Sequence, residues 1–500
     1  MNRGTSHEPT ELADRKTSNG RLAIWWAVYL SLVTGPALAL IFADANGGRA
    51  AYDSCVYHER VIREYIRTFP VLDVTNPLTT TIPGYHVLMA VFGKFVSADT
   101  AVLRLASLAI GLAFLVVAAR SFGRWAGARN GLLLAMPLAA CSYVLGASAW
   151  MLPDNLSWLL VTVCLTVNLG GRSFRSAAAW NAALLLSAVA CRQVNIWMLA
   201  VLVAAAASSG WDGMANGVSD RVRRASIAAM AGIPAIAVLA WFAVIWGGLT
   251  PPRFQADVTG INFATPAFLL FQFAALGAFF LPWLYQPILR FVRERPRATA
   301  AIVVAALLIA AIPATIPGER WGRYAGWWRL LEALPILKGH TSLPILFAAP
   351  IGAIALVAST TALGARQRAV IGMAVLAFGV AMTCTFYSWQ RYHEPFVLLL
   401  LGFLSAMQPR DARIPPAWAA ARVAAIAALT AILSMLTLSN FSTERVDRTE
   451  PPAIFHLSTE ERVTWKYEEW TREHPGTRQS RELDEIRNPR DDGVPPTNDR

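Results

Sequence analysis

The chain has 500 residues, of which 55% are hydrophobic and only 15% are charged. Soluble globular proteins carry about 25% charged residues, so the composition excludes an ordinary soluble enzyme and indicates a protein that crosses a bilayer many times. The net charge of +12 does not indicate a nucleic-acid partner, because the basic residues flank apolar segments and do not form one basic domain.

The apolar segments have the composition of membrane spans, and most have the length. They cover about residues 22–42, 101–119, 130–148, 155–170, 177–190, 194–208, 226–247, 264–285, 298–315, 343–361, 369–386, 395–408 and 417–438. We therefore predict an all-α fold, a polytopic transmembrane helical bundle of about 13 spans. Residues 1–21 are predicted to be a cytoplasmic tail, 22–440 the transmembrane domain with 43–100 as a long helical first external loop, and 441–500 a polar external tail.

The distribution of arginine predicts the orientation of the chain. Every second loop is basic, on the same side as the N-terminal tail; these loops contain Arg120 and Arg124, Arg172 and Arg175, Arg221 and Arg223, Arg293 and Arg295, Arg366 and Arg368, and Arg410 and Arg413. Because Lys and Arg accumulate in cytoplasmic loops, that side is predicted to be cytoplasmic. The short apolar stretch 82–96 would invert every later loop if it were a span, so we predict a re-entrant or interfacial helix there.

The first external loop carries the first candidate for chemistry, Asp53, directly after the first span. A carboxylate at the membrane surface can accept the proton of a sugar hydroxyl as that hydroxyl attacks an anomeric carbon. Alternatively, Asp53 caps the helix that runs through Arg60 and Tyr65. The residues alone leave both interpretations open.

Two later external turns hold further polar residues beside apolar sequence. Asp154 is either the N-cap of the span that follows it or part of a substrate site. Arg192, Gln193 and Asn195 lie between two short spans, where they either form a structural network that joins helices or bind a lipid phosphate through the guanidinium of Arg192.

Arginine occurs beside aromatic residues in two more external segments. Glu319, Arg320 and Arg323 lie in the first, and Arg391 lies in the second. Each arginine taken singly is explained by anchoring at the membrane interface. Together with Arg192, they favour a site for an anionic headgroup and a stacked sugar ring on one membrane face.

Several other classes of site are disfavoured by what the sequence lacks. It contains no GxGxxG and no GxxxxGK[ST] motif, which disfavours a Rossmann-type enzyme that uses a nucleotide sugar. The five cysteines form no CxxC pair, and no His/Asp cluster has metal-ligand spacing. We therefore expect no metal and no cofactor.

These tracts resemble the GT-C superfamily of membrane glycosyltransferases, and within it the dolichyl-phosphate-glucose-dependent α-1,2-glucosyltransferases. Asp53 and His58 resemble an Asp and a His that follow the family's first span, with one residue inserted here and with Ser54 in place of an acidic neighbour. An Asp, Thr-Thr and Pro-Gly-aromatic run is matched by Asp73, Thr80, Thr81, Pro83, Gly84 and Tyr85.

Two further tracts carry the same resemblance. Asp154 to Ser157 is similar to an Asp-x-Gly-Ser motif, with Leu156 in place of the glycine. The family's Arg-Gln-x-Asn-Ile-x-Trp motif is matched by Arg192, Gln193, Asn195 and Ile196, with Trp197 one place early.

The resemblance implies an inverting transfer of a hexose, glucose in that family, from a polyprenyl- or dolichyl-phosphate-sugar to a glycan or glycolipid acceptor. Asp53 would be the base, an arginine would stabilise the leaving phosphate, and the other matched residues would bind substrate. The Ala- and Arg-rich composition indicates a bacterial plasma membrane with an external active site, or the ER membrane if the chain is eukaryotic. The alternative is a multi-span transporter or lipid flippase, in which polar residues near mid-membrane and an internal repeat are expected.

Overall fold

The computed structural model describes residues 8–45, 49–170, 173–208, 211, 217–258, 260–409 and 415–440. Within these ranges the chain is helical apart from one antiparallel hairpin of two-residue strands, β1 (Ile336–Leu337) and β2 (Thr341–Ser342). The predicted all-α fold is therefore confirmed. The predicted tail 441–500 and the basic residues Arg172, Arg410 and Arg413 lie outside the described residues.

Apolar segments in a bilayer become helices because every backbone N–H and C=O must then be bonded within the segment. The α-helices are α1 (Glu8–Phe42), α2 (Arg49–Tyr52), α3 (Glu59–Thr68), α4 (Gly84–Phe95), α5 (Thr100–Ala126), α6 (Ala128–Ala140), α7 (Ser142–Ala149), α8 (Asp154–Leu169), α9 (Phe174–Cys191), α10 (Met198–Ala207), α11 (Val218–Ala231), α12 (Ile233–Trp246), α13 (Gln255–Val258), α14 (Thr265–Gly277), α15 (Leu281–Glu294), α16 (Pro296–Ala311), α17 (Trp327–Glu332), α18 (Leu343–Thr361), α19 (Ala365–Thr383), α20 (Gln390–Met407) and α21 (Pro416–Asn440). A π-helical segment covers Asp53–His58, and 3-10 turns cover Gln193–Trp197, Pro252–Phe254, Ala278–Phe280 and Glu319–Trp321.

Seven helical segments in the described part of the chain are long and apolar enough to cross a membrane, judged by length and composition. Two bent pairs, α6 with α7 and α11 with α12, raise that number to nine, and α8, α16 and the segment Gln193–Ala207 are shorter apolar helices. Each of the thirteen predicted spans falls on one of these segments or on α20.

Successive passes carry the chain between two ends of the bundle. We call the first of these the capped end. There, indole N–H groups bond the long first loop to later parts of the chain: Trp150 Nε1 donates to Ala45 O at 3.3 Å, and Trp246 Nε1 donates to Val74 O at 2.9 Å. At the other, which we call the arginine end, lie the loops predicted to be basic. There Arg124 Nη2 donates to Gly170 O at 2.7 Å.

The first long loop is helical, as predicted. Residues 49–68 form one continuous helical run through α2, the π-helical segment and α3. Helix α4 has 12 residues and is therefore only about 18 Å long, which is too short for a hydrocarbon layer of about 30 Å. It packs instead on α3, with Ile62, Tyr85 and Met89 in one buried cluster. This length and packing fit the predicted re-entrant or interfacial helix.

Candidate functional site

Asp53 lies inside a helix and not at its start. The helix begins four residues earlier at Arg49, and Asp53 opens the π-helical segment, where the N–H of Glu59 bonds the carbonyl of Ser54. The interpretation of Asp53 as a helix cap is therefore wrong. An i→i+5 turn takes in one residue more than an α-helical turn, and it occurs between Asp53 and His58, where the sequence has its inserted residue.

The carboxylate of Asp53 is buried and is bonded by Arg391, which is 338 positions away in the sequence. Arg391 lies in the first turn of α20, and its Nη2 donates to the hydroxyl of Tyr392 at 3.0 Å. Its guanidinium carbon lies 4.3 Å from the ring centre of Trp389. Arg391 Nε is buried and bonds no atom among the described residues.

A second ion pair joins Asp154 to Arg192. Arg192 Nη1 donates to Asp154 Oδ1 at 2.6 Å, and both side chains are largely buried, at 13% and 12% exposure. Asp154 is the first residue of α8 and makes no cap bond, so the interpretation of Asp154 as an N-cap is wrong. The guanidinium of Arg192 lies 4.7 Å from the ring centre of Tyr392, which in turn bonds Arg391.

These contacts form one polar cluster at the capped end, consisting of Asp53, Arg391, Tyr392, Arg192 and Asp154. Its two carboxylates and two guanidiniums balance in charge. Arginine has five N–H donors, and the single hydrogen bond of the Arg192 side chain among the described residues is the one to Asp154. The cluster therefore has spare donors for an anion.

His58 lies behind the cluster and is bonded to a second histidine. Its Nδ1 lies 2.8 Å from Nε2 of His86, and the two rings stack with centres 5.1 Å apart. Burial, together with the charges of Arg391 and Arg192, lowers the pKa of His58 to about 3. Burial also lowers the pKa of His86. The histidines are therefore a neutral pair in which one ring donates to the other.

Gln193 holds the threonine tract of the first loop beside the cluster. Its Nε2 donates to Thr80 O at 2.7 Å, its Oε1 accepts from the N–H of Ile82 at 3.2 Å, and the hydroxyls of Thr79 and Thr81 lie 3.2 Å apart. A Cβ at Gly84 would overlap the carbonyl oxygen of Ala190 in α9. The glycine therefore allows the close approach that brings the tract to the Arg192–Gln193 turn.

Three more of the predicted residues have bonds that explain them structurally. Asn195 Nδ2 donates to Ser157 Oγ and to Ala188 O, both at 2.9 Å. The hydroxyl of Tyr85 lies 2.8 Å from Ser107 Oγ in the interior. Asp73 Oδ1 accepts from the N–H of Thr75 at 2.9 Å, and these bonds to Thr75 lower the pKa of Asp73.

The expected gathering of four arginines is seen for two of them. Arg323 is buried at 2% exposure, and its Nη1 donates to Ala314 O at 2.7 Å and to Ile316 O at 3.1 Å. Glu319 and Arg320 are exposed, and neither side chain has a hydrogen bond or ion pair among the described residues. Arg323 thus holds its own loop together, while Arg192 and Arg391 share the cluster.

Two residues of the site, Tyr392 and His86, were not predicted from the sequence. Each one follows a residue that had been singled out, since Tyr392 is next to Arg391 and His86 is next to Tyr85. Tyr392 joins the two guanidiniums, and His86 completes the histidine pair. As for metals, no group of three or more His, Cys, Asp or Glu within the described ranges could hold an ion.

Solved structures of two membrane glycosyltransferases of the GT-C superfamily resemble the chain. ArnT from Cupriavidus metallidurans, in its apo state, is 15% identical over 78% of each chain, with a TM-score of 0.37. The same protein bound to undecaprenyl phosphate is 16% identical over 78% of each chain, with a TM-score of 0.35. The archaeal oligosaccharyltransferase AglB from Archaeoglobus fulgidus, in complex with an inhibitory peptide and a dolichol-phosphate, is 13% identical over 93% of this chain and 58% of its own, with a TM-score of 0.43.

No family model and no curated protein matches the chain by sequence. Because the TM-scores stay below 0.5, the case for a particular chemistry rests on the residues of the site.

Proposed function

We propose that the chain is a membrane glycosyltransferase that moves a hexose, with glucose as the first candidate, from a polyprenyl- or dolichyl-phosphate carrier to a glycan or glycolipid. The reaction would take place at the capped end, which faces away from the cytoplasm in the predicted orientation. A single observation carries the proposal. A buried carboxylate, Asp53, and two guanidiniums, those of Arg391 and Arg192, lie in one cluster, and both guanidiniums contact the side chain of Tyr392.

The Asp53–Arg391 pair suits a displacement in which a proton and a phosphate move in step. The acceptor hydroxyl oxygen forms a bond to the anomeric carbon of the sugar, and its proton passes to the Asp53 carboxylate. The bond from that carbon to the phosphate oxygen breaks, and the phosphate leaves with the electron pair. Attack on the face opposite the phosphate inverts the anomeric centre.

Charge balance gives Arg391 its role in this step. The released phosphate monoester carries about one more negative charge than the diester from which it came. Asp53 loses its negative charge when it accepts the proton, so Arg391 becomes able to pair with the phosphate. The guanidinium of Arg192, held by Asp154 at 2.6 Å, provides a second cation for the same group.

Half-buried aromatic rings beside the cluster offer a surface for the sugars. The ring centres of Tyr387 and Trp389 lie 4.8 Å apart, as do those of Trp321 and Phe386, and those of Trp389 and Tyr392 lie 5.6 Å apart. A few polar groups among aromatic side chains are typical of small-molecule sites. This row supports a carbohydrate as the ligand next to the phosphate.

The test is the release of polyprenyl phosphate from a polyprenyl-phosphate-hexose by the purified full chain, with a membrane glycolipid extract as acceptor. Removal of a general base costs about 10²–10⁴-fold in rate, so we expect a loss of this size in Asp53→Asn. Asp99→Asn is the matched control, since Asp99 lies in the same loop and caps α5 through the N–H groups of Ala101 and Val102. Asparagine caps a helix as well as aspartate does, so turnover should stay within about twofold.

The double variant Asp53→Asn/Arg391→Gln separates a base from a structural partner. If Asp53 and Arg391 only neutralise each other, removal of both charges should restore turnover; if they act in the transfer as proposed, the double variant should regain thermal stability and stay inactive. Restored turnover would therefore remove Asp53 from the mechanism. A wild-type chain that moves glycolipid across proteoliposomes and releases no polyprenyl phosphate would instead be a transporter or flippase.

A further inference from the structure

A separate cavity of about 400 Å³ lies at the arginine end. It is formed where α15, α18 and α21 reach that end of the bundle, and it is also lined by Gln408 and Pro409, which follow α20. Helix α20 runs from Gln390, next to Arg391 in the polar cluster, to the loop at Gln408 that lines the cavity. Eighteen helical residues span about 27 Å, so the cavity lies far from the polar cluster.

The lining of the cavity is cationic. Arg290, Arg295 and Arg422 contribute three positive charges, and Glu294 is the single acidic residue among those described in the lining. Arg290 and Arg295 are exposed, and neither has an ion pair within the described residues. An anion with one or two negative charges would therefore balance the net positive charge of the lining.

Aromatic side chains form another wall and join α15 to α21. The rings of Tyr285 and Trp418 lie 5.6 Å apart, and the guanidinium of Arg422 lies 5.4 Å from the ring centre of Trp283. Tyrosine and tryptophan are enriched at the depth of lipid headgroups. The cavity thus combines cations with the side chains of a membrane interface.

The lining also contains a buried acceptor that has no partner among the residues described by the structure. Gln408 is 8% exposed, and its Nε2 donates to Ser359 O at 3.2 Å and to Leu404 O at 3.1 Å. Its Oε1 is buried and bonds no atom in the described part of the chain. A buried amide oxygen without a donor destabilises the fold, and a ligand hydroxyl that donates to it would offset this cost.

We propose that this cavity binds the headgroup of an anionic phospholipid that carries a hydroxyl group, as phosphatidylglycerol does. The phosphate lies among the guanidiniums of Arg290, Arg295 and Arg422, and a headgroup hydroxyl donates to Gln408 Oε1. The acyl chains run along apolar side chains that are exposed beside the cavity, including Leu281 and Val423. Basic pockets between helices on the cytoplasmic side are known to hold anionic headgroups.

The test measures lipid retention by native mass spectrometry of the full chain, purified in detergent with equal phosphatidylglycerol and phosphatidylcholine. We expect the wild type to retain phosphatidylglycerol at least about tenfold over phosphatidylcholine, roughly the effect of one charge-assisted contact. Arg290→Gln/Arg295→Gln should abolish that preference. Arg293→Gln/Arg297→Gln is the matched control, because it removes two charges from the same junction of α15 and α16 and neither residue lines the cavity.

Each outcome of this experiment bears on the proposal. Equal retention of both lipids by the wild type overturns it, and so does an equal loss in the two double variants, which would show general attraction to basic residues. Stabilisation by soluble glycerol phosphate without any lipid preference would assign the site to a free phosphate ester and overturn the lipid. Gln408→Met should lower retention of phosphatidylglycerol several-fold and leave phosphatidic acid, which has no headgroup hydroxyl, unchanged. Glycosyl transfer is not measured, so the result is independent of the proposed function.

Discussion

The two ends of the bundle use arginine in different ways. At the capped end, Arg391 and Arg192 are paired with the carboxylates of Asp53 and Asp154 and lie against the ring of Tyr392. At the arginine end, the side chains bond backbone carbonyls at the ends of helices: Arg124 bonds Gly170 O and Arg366 bonds Leu169 O, both at the end of α8, and Arg224 bonds Ala206 O near the end of α10.

The difference supports our proposal that the arginines of the capped end, and not those of the arginine end, take part in the chemistry. A guanidinium on helix C-terminal carbonyls complements the helix dipole, a modest contribution of about 0.3–1 kcal/mol. A buried guanidinium paired with a carboxylate is a weak device for stability, because the desolvation of two charges offsets their attraction. We therefore propose that the buried ion pairs at the capped end serve a ligand: an anionic ligand would take the place of a carboxylate as the partner of a guanidinium.

After the loss of Asp53, the largest effect should come from breaking the Arg192–Asp154 pair. We expect Arg192→Gln to lower turnover about 10²–10³-fold, the usual loss when one donor to a developing charge is removed. Arg192→Lys keeps the positive charge but loses the two parallel N–H donors of the guanidinium, so its rate should lie between those of Arg192→Gln and the wild type. The rate of polyprenyl phosphate release is the measurement, and Arg366→Gln is the control from the other end of the bundle.

A double-mutant cycle separates the two roles of this pair. Removing one partner of a buried pair costs about 3–5 kcal/mol of stability, and removing both restores much of it. We therefore expect Asp154→Asn/Arg192→Gln to regain thermal stability over Arg192→Gln and to remain slow. If turnover returned with stability, Arg192 would be a structural residue and the phosphate site would lose one of its cations.

The sequence was informative about helices and less so about which side chains meet. Span lengths follow from the thickness of the bilayer, so apolar runs predict them one by one. The sequence indicates Asp154 and Arg192 as separate candidates, but their pairing depends on α8 and α9 lying side by side. The Asp53–Arg391 contact joins residues 338 positions apart, and no local pattern indicates it.

Two local features of the site were also beyond sequence reasoning. The residue inserted between Asp53 and His58 looked like a departure from the family spacing, and a π-helical turn takes it in. Arg323 lies beside aromatic residues as Arg391 does, but its Nη1 donates to two carbonyls of its own loop. Both features depend on the local backbone geometry, which the residue types at these positions do not indicate.

A smaller effect should appear in the dependence of stability on pH, and it too belongs to the capped end. The described histidines, His58, His86, His340 and His393, all lie on its loops or in the first turn of α20. The pKa of His58 is about 3 in the folded chain and about 6.5 when unfolded. Below pH 6.5 the unfolded chain therefore takes up protons that the folded chain does not, and stability falls.

The size of this effect is bounded by about 1.4 kcal/mol per pH unit for each histidine. Apparent unfolding temperatures at pH 7.5 and 5.5 measure it. We expect His58→Asn/His86→Asn to flatten the slope, while His340→Asn, which changes an exposed side chain, should leave it unchanged. If stability changed equally with pH in the wild type and both variants, the lowered pKa of the buried histidine pair would be contradicted.

The smallest effect should come from the arginine end. Arg124 is exposed and donates to Gly170 O at 2.7 Å, beyond the last residue of α8. Arg124→Gln should cost about 1 kcal/mol or less, lower the unfolding temperature by about 1–2 °C and keep turnover within about twofold. Arg120→Gln is the matched control, an exposed arginine one turn earlier on α5. A large loss of turnover in Arg124→Gln would contradict the proposed difference between the two ends of the bundle. An arginine bonded to backbone carbonyls would then be as important for sugar transfer as one paired with a carboxylate.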